Sequence, residues 1–248
     1  MSRFYVPEPR LEGNTLRIEG REVRHLRRVL RLRRGDAIVV FDDTGREYEG
    51  TIVFEDPTSV IVEITNVLHG SKDPTLTIVL AQSLLKGEKM DYIIQKATEL
   101  GVSGVAPFFS SRSVPLLDLS AKHTRARRWE RIAIEASKQS GRTIVPKIEP
   151  LRDYTEVLDR ASPSAVLLIF WEQGGRALKQ IVSGSKQDGE IFFVVGPEGG
   201  FSAEEVDAAK RRGFVPVSLG KRILRAETAS LCFLSILQYE WGDLGSSE

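Results

Sequence analysis

The chain has one cysteine, Cys232, among 248 residues, so no internal disulfide can form. It has no long hydrophobic run. The longest, Ala165-Val166-Leu167-Leu168-Ile169-Phe170-Trp171, falls far short of the roughly 20 apolar residues that cross a bilayer. No charged-then-apolar leader opens the chain, and a cytoplasmic protein with no membrane partner is expected. Internal repeats and low-complexity tracts are also lacking. With 41% hydrophobic and 28% charged residues the composition is ordinary for a globular protein, and disorder is not expected.

What is there is a segregated charge. The net charge of +1 hides two basic stretches. Between Arg21 and Arg34 stand seven arginines against Glu22 alone, and between Lys122 and Lys147 eight basic residues against Glu130 and Glu135. Phosphate contacts need local rather than global positive charge, so two such stretches suit a protein that grips a polyanion. Two solvated helix faces balanced by acids elsewhere are the plainer alternative.

Residues 1 to 70 read as short strands (3–6, 15–18, 37–41, 47–54 and 59–67) separated by turn signals, a pattern that suggests a small β-barrel. One helix interrupts them over 21–30, with Val23, Leu26, Val29 and Leu30 spaced to form its apolar face. The polar run Leu68-His69-Gly70-Ser71-Lys72-Asp73-Pro74 marks a domain boundary. From 74 to 248 strands alternate with helices: β 75–82, α 88–100, β 103–109, α 123–140, β 165–170, α 175–183, β 190–195, α 203–212, β 214–218 and α 226–241. That alternation predicts a mostly parallel sheet covered by helices.

Two glycine-bearing turns stand at carboxyl ends of strands, where open α/β sheets hold ligands. The first is Gly196-Pro197-Glu198-Gly199-Gly200-Phe201-Ser202. Ser202 and Glu205 are spaced as a capping box. Glu198 inside the turn would repel a phosphate, and neither a P-loop lysine nor a G-x-G-x-x-G spacing is present. A cationic, ribose-bearing or amide-presenting ligand fits better, with a plain strand-to-helix turn as the alternative. In the second turn, Leu219 to Ala229, the cations Lys221, Arg222 and Arg225 precede an apolar helix. One cap would suffice there, so three cations require partners, either acids of this domain or an external anion.

At these residues the sequence resembles the ribosomal RNA small subunit methyltransferase E family, of the SPOUT class of S-adenosylmethionine-dependent RNA methyltransferases. The resemblance runs through Arg3-Phe4-Tyr5-Val6, His25-Leu26-Arg27-Arg28-Val29-Leu30-Arg31, Lys96-Ala97-Thr98-Glu99-Leu100-Gly101-Val102, Pro107, the stretch from Arg131 to Arg142, Glu172 and both turns. It implies an α/β domain over 74–248 with a SPOUT-type trefoil-knotted parallel sheet, helices on both faces, and a PUA-like RNA-binding β-barrel over 1–70. Periodicity reveals no knot, and chains almost never thread loops. The resemblance further implies a homodimer with the 226–241 helix at its interface, and methyl transfer to N3 of a specific uridine in 16S rRNA of the small ribosomal subunit. No metal is implied.

The resemblance also implies the site. The S-adenosyl-L-methionine contacts would come from Phe170, Trp171, Glu172, Gly196, Pro197, Glu198, Gly199, Leu219, Gly220, Ile223, Leu224, Thr228 and Ala229. The uridine N3 must lose its proton, and a cation on the uracil oxygens would stabilise the developing charge. Arg225, then Arg222, is expected there, and Glu227, Glu198 and Glu172 are the candidate bases. RNA contacts would come from Arg3, Tyr5, Arg24, His25, Arg27, Arg28 and Arg31, extended by Lys86, Lys89, Arg128, Arg131 and Arg142. Phe4 and Tyr5 could stack a base or pack in the core. A noncatalytic RNA-binding module would need the basic stretches without the crevice, and a metabolic nucleotide enzyme would need a phosphate at 196–202.

Overall fold

The computed structural model describes residues 1–69, 76–113, 119–183 and 189–245; residues 70–75, within the expected linker, lie outside them. The chain divides into two compact units, Met1–Asp73 with Ser137–Val145, and Pro74–Ala136 with Pro146–Glu248.

The first unit holds β1 (Ser2–Tyr5), β2 (Arg10–Glu12), β3 (Thr15–Glu19), α1 (Arg21–Arg24), β4 (Ala37–Phe41), β5 (Arg46–Glu55) and β6 (Ser59–His69). The strands form one six-stranded sheet in the order β1-β4-β5-β6-β3-β2. Its pairs are antiparallel except β1 with β4. Alternate residues such as Leu16 and Ile18, or Ile38 and Val40, close over Phe4 in a single core. The segment Ser137–Val145 belongs here because polar groups hold it. Lys138 pairs with Glu22 at 2.7 Å, Arg3 donates to the Gly141 and Arg142 carbonyls, and the Val145 amide donates to Asp43.

One expectation fails in α1. Val23 and Leu26 are buried, but Val29 is 69% and Leu30 40% exposed. The helix widens into a π turn over His25–Val29, and Arg31 takes a left-handed φ of 57°. The extra residue per turn rotates Val29 off the apolar stripe. Phe4 is fully buried, so it is a core residue and stacks no base.

The second unit contains β7 (Thr77–Ser83), α2 (Lys89–Glu99), β8 (Gly104–Phe109), α3 (Leu119–Ser140) except its residues from Ser137 on, β9 (Lys147–Ile148), β10 (Arg152–Asp153), α4 (Tyr154–Leu158), β11 (Val166–Phe170), β12 (Arg176–Ala177), α5 (Leu178–Val182), β13 (Glu190–Val195), α6 (Ala203–Arg211), β14 (Val215–Ser218) and α7 (Ala226–Glu240). The strand order is β10-β8-β7-β13-β11-β14-β12, with β9 on β8. Every pair is parallel. Such a sheet needs cover on both faces. Phe192 and Val194 of β13 face the cluster built with α4 and α6, while Phe193 stands 4.6 Å from Phe233 of α7. Along α7 the buried residues Ala226, Ala229, Ser230, Phe233, Leu234, Leu237 and Gln238 follow helical spacing and pack toward the sheet and α2.

The helix expected over 175–183 is shorter than its pattern. Gly175 has φ 128°, and a Cβ there would lie 2.7 Å from the Pro216 carbonyl oxygen. This close approach lets Arg176–Ala177 pair with β14, so the first residues become strand and only Leu178–Val182 is helical.

Phe201 anchors the first glycine turn. Its ring is 2% exposed, 5.5 Å from Tyr154 and parallel to Phe108 at 6.4 Å. Removing a buried ring of this kind costs about 3–5 kcal/mol. Phe201→Ala is therefore expected to lower urea-denaturation stability by that amount, and a loss under about 1 kcal/mol would show that the ring is not the anchor.

Candidate functional site

Strand β11 lies between β13 and β14. The two glycine turns, which follow β13 and β14, therefore flank the end of β11 at a separation of about two strand spacings, roughly 10 Å. Between them opens a pocket of about 510 Å³, within the range that takes a cofactor-sized ligand.

Of the residues expected around a ligand, Phe170, Glu172, Gly196, Pro197, Glu198, Gly199, Leu219, Gly220, Ile223, Leu224 and Ala229 line this one pocket, together with Arg222 and Arg225. Two do not. Trp171 alternates to the opposite face from Phe170 and Glu172, where Lys210 sits 5.4 Å over its ring. Thr228 is exposed, because on α7 the pocket-facing positions are Ala226 and Ala229.

The first turn is held from several sides. Ser202 accepts from the Glu205 amide at 3.2 Å while Glu205 accepts from the Ser202 amide at 2.9 Å, which completes the capping box. The other Glu205 oxygen accepts from the Ser111 amide, and Arg112 donates to the Gly199 carbonyl at 2.8 Å. The loop after β8 thus clasps the turn at both ends. Gly200, at φ 68°, brings bare backbone against Glu172, whose Oε1 would lie 2.4 Å from an added Cβ. Beneath the turn, fully buried Gln82 faces the Gly196 carbonyl at 3.5 Å and accepts from Ser230 of α7.

Charge in the pocket is sorted by wall. Lys89, at the start of α2, donates to Glu198 at 3.1 Å and lies 3.4 Å from Glu227. Glu198 also accepts from the Lys86 amide. Burial raises the Glu198 carboxyl, but hydrogen bonds from its own amide, Lys89 and the Lys86 amide, with the Lys89 charge, hold it below the usual range. The Glu198 hydrogen bond raises the Lys89 ammonium, helped by the charges of both glutamates. On the opposite lip, the side chains of Lys221, Arg222 and Arg225 make no hydrogen bond or ion pair among the described residues. Of the two partners considered for these cations, an acid of this domain is not met among the described residues. Ile223, between them, is 83% exposed.

The residues expected on RNA are scattered. Arg24, Arg27 and Arg28 join Arg33 around a concavity of about 390 Å³ in the first unit, with Arg27 3.3 Å from Glu55. Arg31 and Lys86 are exposed; Arg131 is exposed and donates to the Arg127 carbonyl. Arg128 is bound to Asp91. His25 meets Phe4 edge-on at 6.2 Å. Tyr5 leans on Phe41, and burial, with Asp43 beside it, pushes its hydroxyl up to about 12. Three of the expected cations are engaged or buried in this structure. Arg3 is spent on Glu47 and the 141–142 carbonyls, Arg142 is 4% exposed, and the Lys89 ammonium is engaged inside the pocket. None of the three offers a free cation to a surface polyanion. Sequence reasoning did not foresee the ion pairs of Lys89 and missed Gln82, Ser111 and Arg112. The one local signal was Lys89 itself, a cation at a helix amino terminus, where the macrodipole disfavours it.

Among the described residues no helix is long and apolar enough to cross a membrane, and no cluster of His, Cys, Asp and Glu is arranged to hold a metal. A model of an RNA methyltransferase domain matches residues 71–238, and a model of an RNA methyltransferase PUA domain matches residues 18–65. The class is thus that of RNA methyltransferases with a PUA domain. The chain is 34% identical to a ribosomal RNA small subunit methyltransferase E of Bacillus subtilis over 97% of each chain. It superposes with a TM-score of 0.90 and 36% identity on a ribosomal RNA small subunit methyltransferase E from Neisseria gonorrhoeae bound to S-adenosyl methionine, covering 98% of this chain and 99% of that one. A methyltransferase from Legionella pneumophila in complex with the bound cofactor SAM gives 0.89 and 31%, covering 98% of each chain. The chain belongs to the ribosomal RNA small subunit methyltransferase E family.

The Lys89 cluster sets a pH signature. Glu198, lowered from 4.5, contributes stability that is present above its unfolded value and lost as pH falls through the folded one. Lys89, raised from 10.5, contributes stability that is present below its unfolded value and lost as pH rises through the folded one. Denaturation of wild type and Lys89→Met across pH should give a stability difference that is widest between about pH 5 and 10 and narrows outside. A difference independent of pH would mean that the ion pairs do not form.

Proposed function

We propose that this protein transfers a methyl group from S-adenosyl-L-methionine to N3 of one specific uridine in 16S rRNA of the small ribosomal subunit. The observation that carries the reading is the sorting of charge across the pocket, with Glu198 and Glu172 on the side of the first turn and, on the opposite lip, three cations that have no partner among the described residues. Family membership and two relatives that hold the same donor support it. In this reading the strands of residues 1–70 hold RNA, and residues 74–248 form the cofactor domain with its trefoil knot. The chain acts as a cytoplasmic homodimer through the last helix.

The residues present fit the donor. The pocket is large enough, its acidic wall suits a cation, and Leu219, Ile223 and Leu224 offer an apolar surface for an adenine beside free backbone groups. When bound, the donor supplies an electrophilic methyl on a positively charged sulfur. The protein's own work is on the uridine. Arg225, seconded by Arg222, places positive charge where the uracil oxygens become negative as N3 loses its proton. Both guanidiniums are exposed and unspent, so they can turn to that task without breaking a contact. Glu227 has a buried carboxylate oxygen without a hydrogen bond and is assigned as the acceptor of the N3 proton. Arg24, Arg27, Arg28 and Arg31 neutralise phosphates away from the reaction, which positions the strand without reading its sequence.

The deciding experiment incubates the protein with labelled methyl donor and small subunits from cells that lack this enzyme, then maps the modified nucleotide. Label at uridine N3 is expected, and label absent from every uridine would refute the function. Arg225→Ala should lose about a hundredfold or more in turnover, the scale of a lost oxyanion donor, while its calorimetric affinity for S-adenosylhomocysteine stays within about twofold. Unchanged turnover would remove Arg225 from the site.

A further inference from the structure

Among the charges that line the pocket, opposite signs meet in one place. Among the described residues Lys221, Arg222 and Arg225 form no ion pair with an acid and Glu172 none with a cation; Lys89 stands 3.1 Å from Glu198, and also 3.4 Å from Glu227, which is not itself a lining residue. Resting on the methyl-donor reading above, we propose that Lys89 and Glu198 are the receptor for the amino-acid end of the donor, Lys89 binding its carboxylate and Glu198 its ammonium.

The chemistry of an α-amino acid asks for this arrangement. Its ammonium and carboxylate hang on one carbon, so a receptor must present an acid and a base within a few ångströms of each other, as this cluster does. A lysine ammonium carries three N–H donors. Glu198 takes one of them, and the Glu227 carboxylate, 3.4 Å away, holds the group in place by charge, which leaves donors free for a ligand carboxylate. A carboxylate has about four lone-pair sites, so Glu198 can accept an ammonium beside Lys89 and the Lys86 amide. Glu227 serves as the tether that keeps Lys89 at the wall. The position also runs against local preference. A lysine in the first turn of α2 opposes the helix macrodipole, and such breaches of a local rule concentrate where function requires them.

The test pairs variants of the full chain with three ligands in isothermal titration calorimetry. S-adenosylhomocysteine has both charges of the amino-acid end, its decarboxylated analogue has the amine alone, and 5′-methylthioadenosine has neither. Lys89→Met should weaken S-adenosylhomocysteine about tenfold, the scale of one charge-assisted hydrogen bond. It should weaken the decarboxylated analogue much less and leave methylthioadenosine unchanged, which also reports that the pocket is folded. Lys89→Arg should restore most of the loss. Glu198→Gln should weaken both amine-bearing ligands and spare methylthioadenosine. Equal losses for all three ligands, or no loss of S-adenosylhomocysteine with Lys89→Met, would overturn the assignment. If wild type binds none of the three, the donor reading itself falls, and this assignment with it.

Discussion

The parallel pairing of β11 with both β13 and β14 is the constraint on which the site depends. It places two turns that are distant in sequence on either side of a single strand end, and it makes Phe170 and Glu172 the floor between them. The apolar strands are buried on both faces, so neither turn can shift without disturbing the helices packed above and below. The rigid part of the second unit therefore supplies position, and the loops supply chemistry.

Each wall is then fixed by a different kind of force. The first turn is held by packing and backbone hydrogen bonds: Phe201 fills the space beneath it, Glu205 caps the helix after it, and Arg112 holds the Gly199 carbonyl. The second turn has fewer ties. Its cations carry no partners among the described residues, and Ile223 stands almost free. Lys89 links the two walls by charge, through Glu198 on one and Glu227 on the other. A site with one stiff wall and one loosely held lip can close on a ligand at little cost in broken contacts.

Much of this was legible in the sequence because the signals are local. Long alternating or periodic runs such as 190–195 and 226–241 declare themselves, and the Ser202 and Glu205 capping box is written in the spacing of two residues. The short α4 carried the same kind of signal in Asp153 and Glu156 and could have been found by it. What was not legible depends on contacts between remote segments. Lys89 looks like one more basic residue until α2 is set beside the turn after β13. The π turn hides in an ordinary helical pattern, since Val29 and Leu30 keep the right spacing but lose the right direction. Arg3 reads as a free cation because a sequence does not show the carbonyls and the carboxylate that enclose it, and nothing in the sequence marks Arg142 as buried.

The two ends of the parallel sheet have a consequence of their own. β10 and β12, the strands at either end of its order, are two residues each, and β14 next to β12 carries Pro216, which has no amide hydrogen to donate. Long, apolar strands such as β7 and β13 are thereby kept inside, and among the described residues this sheet offers no extended rim of unpaired backbone to a neighbouring chain. Strand addition to this sheet therefore finds little backbone to pair with among the described residues. The design resists edge-to-edge aggregation through this sheet.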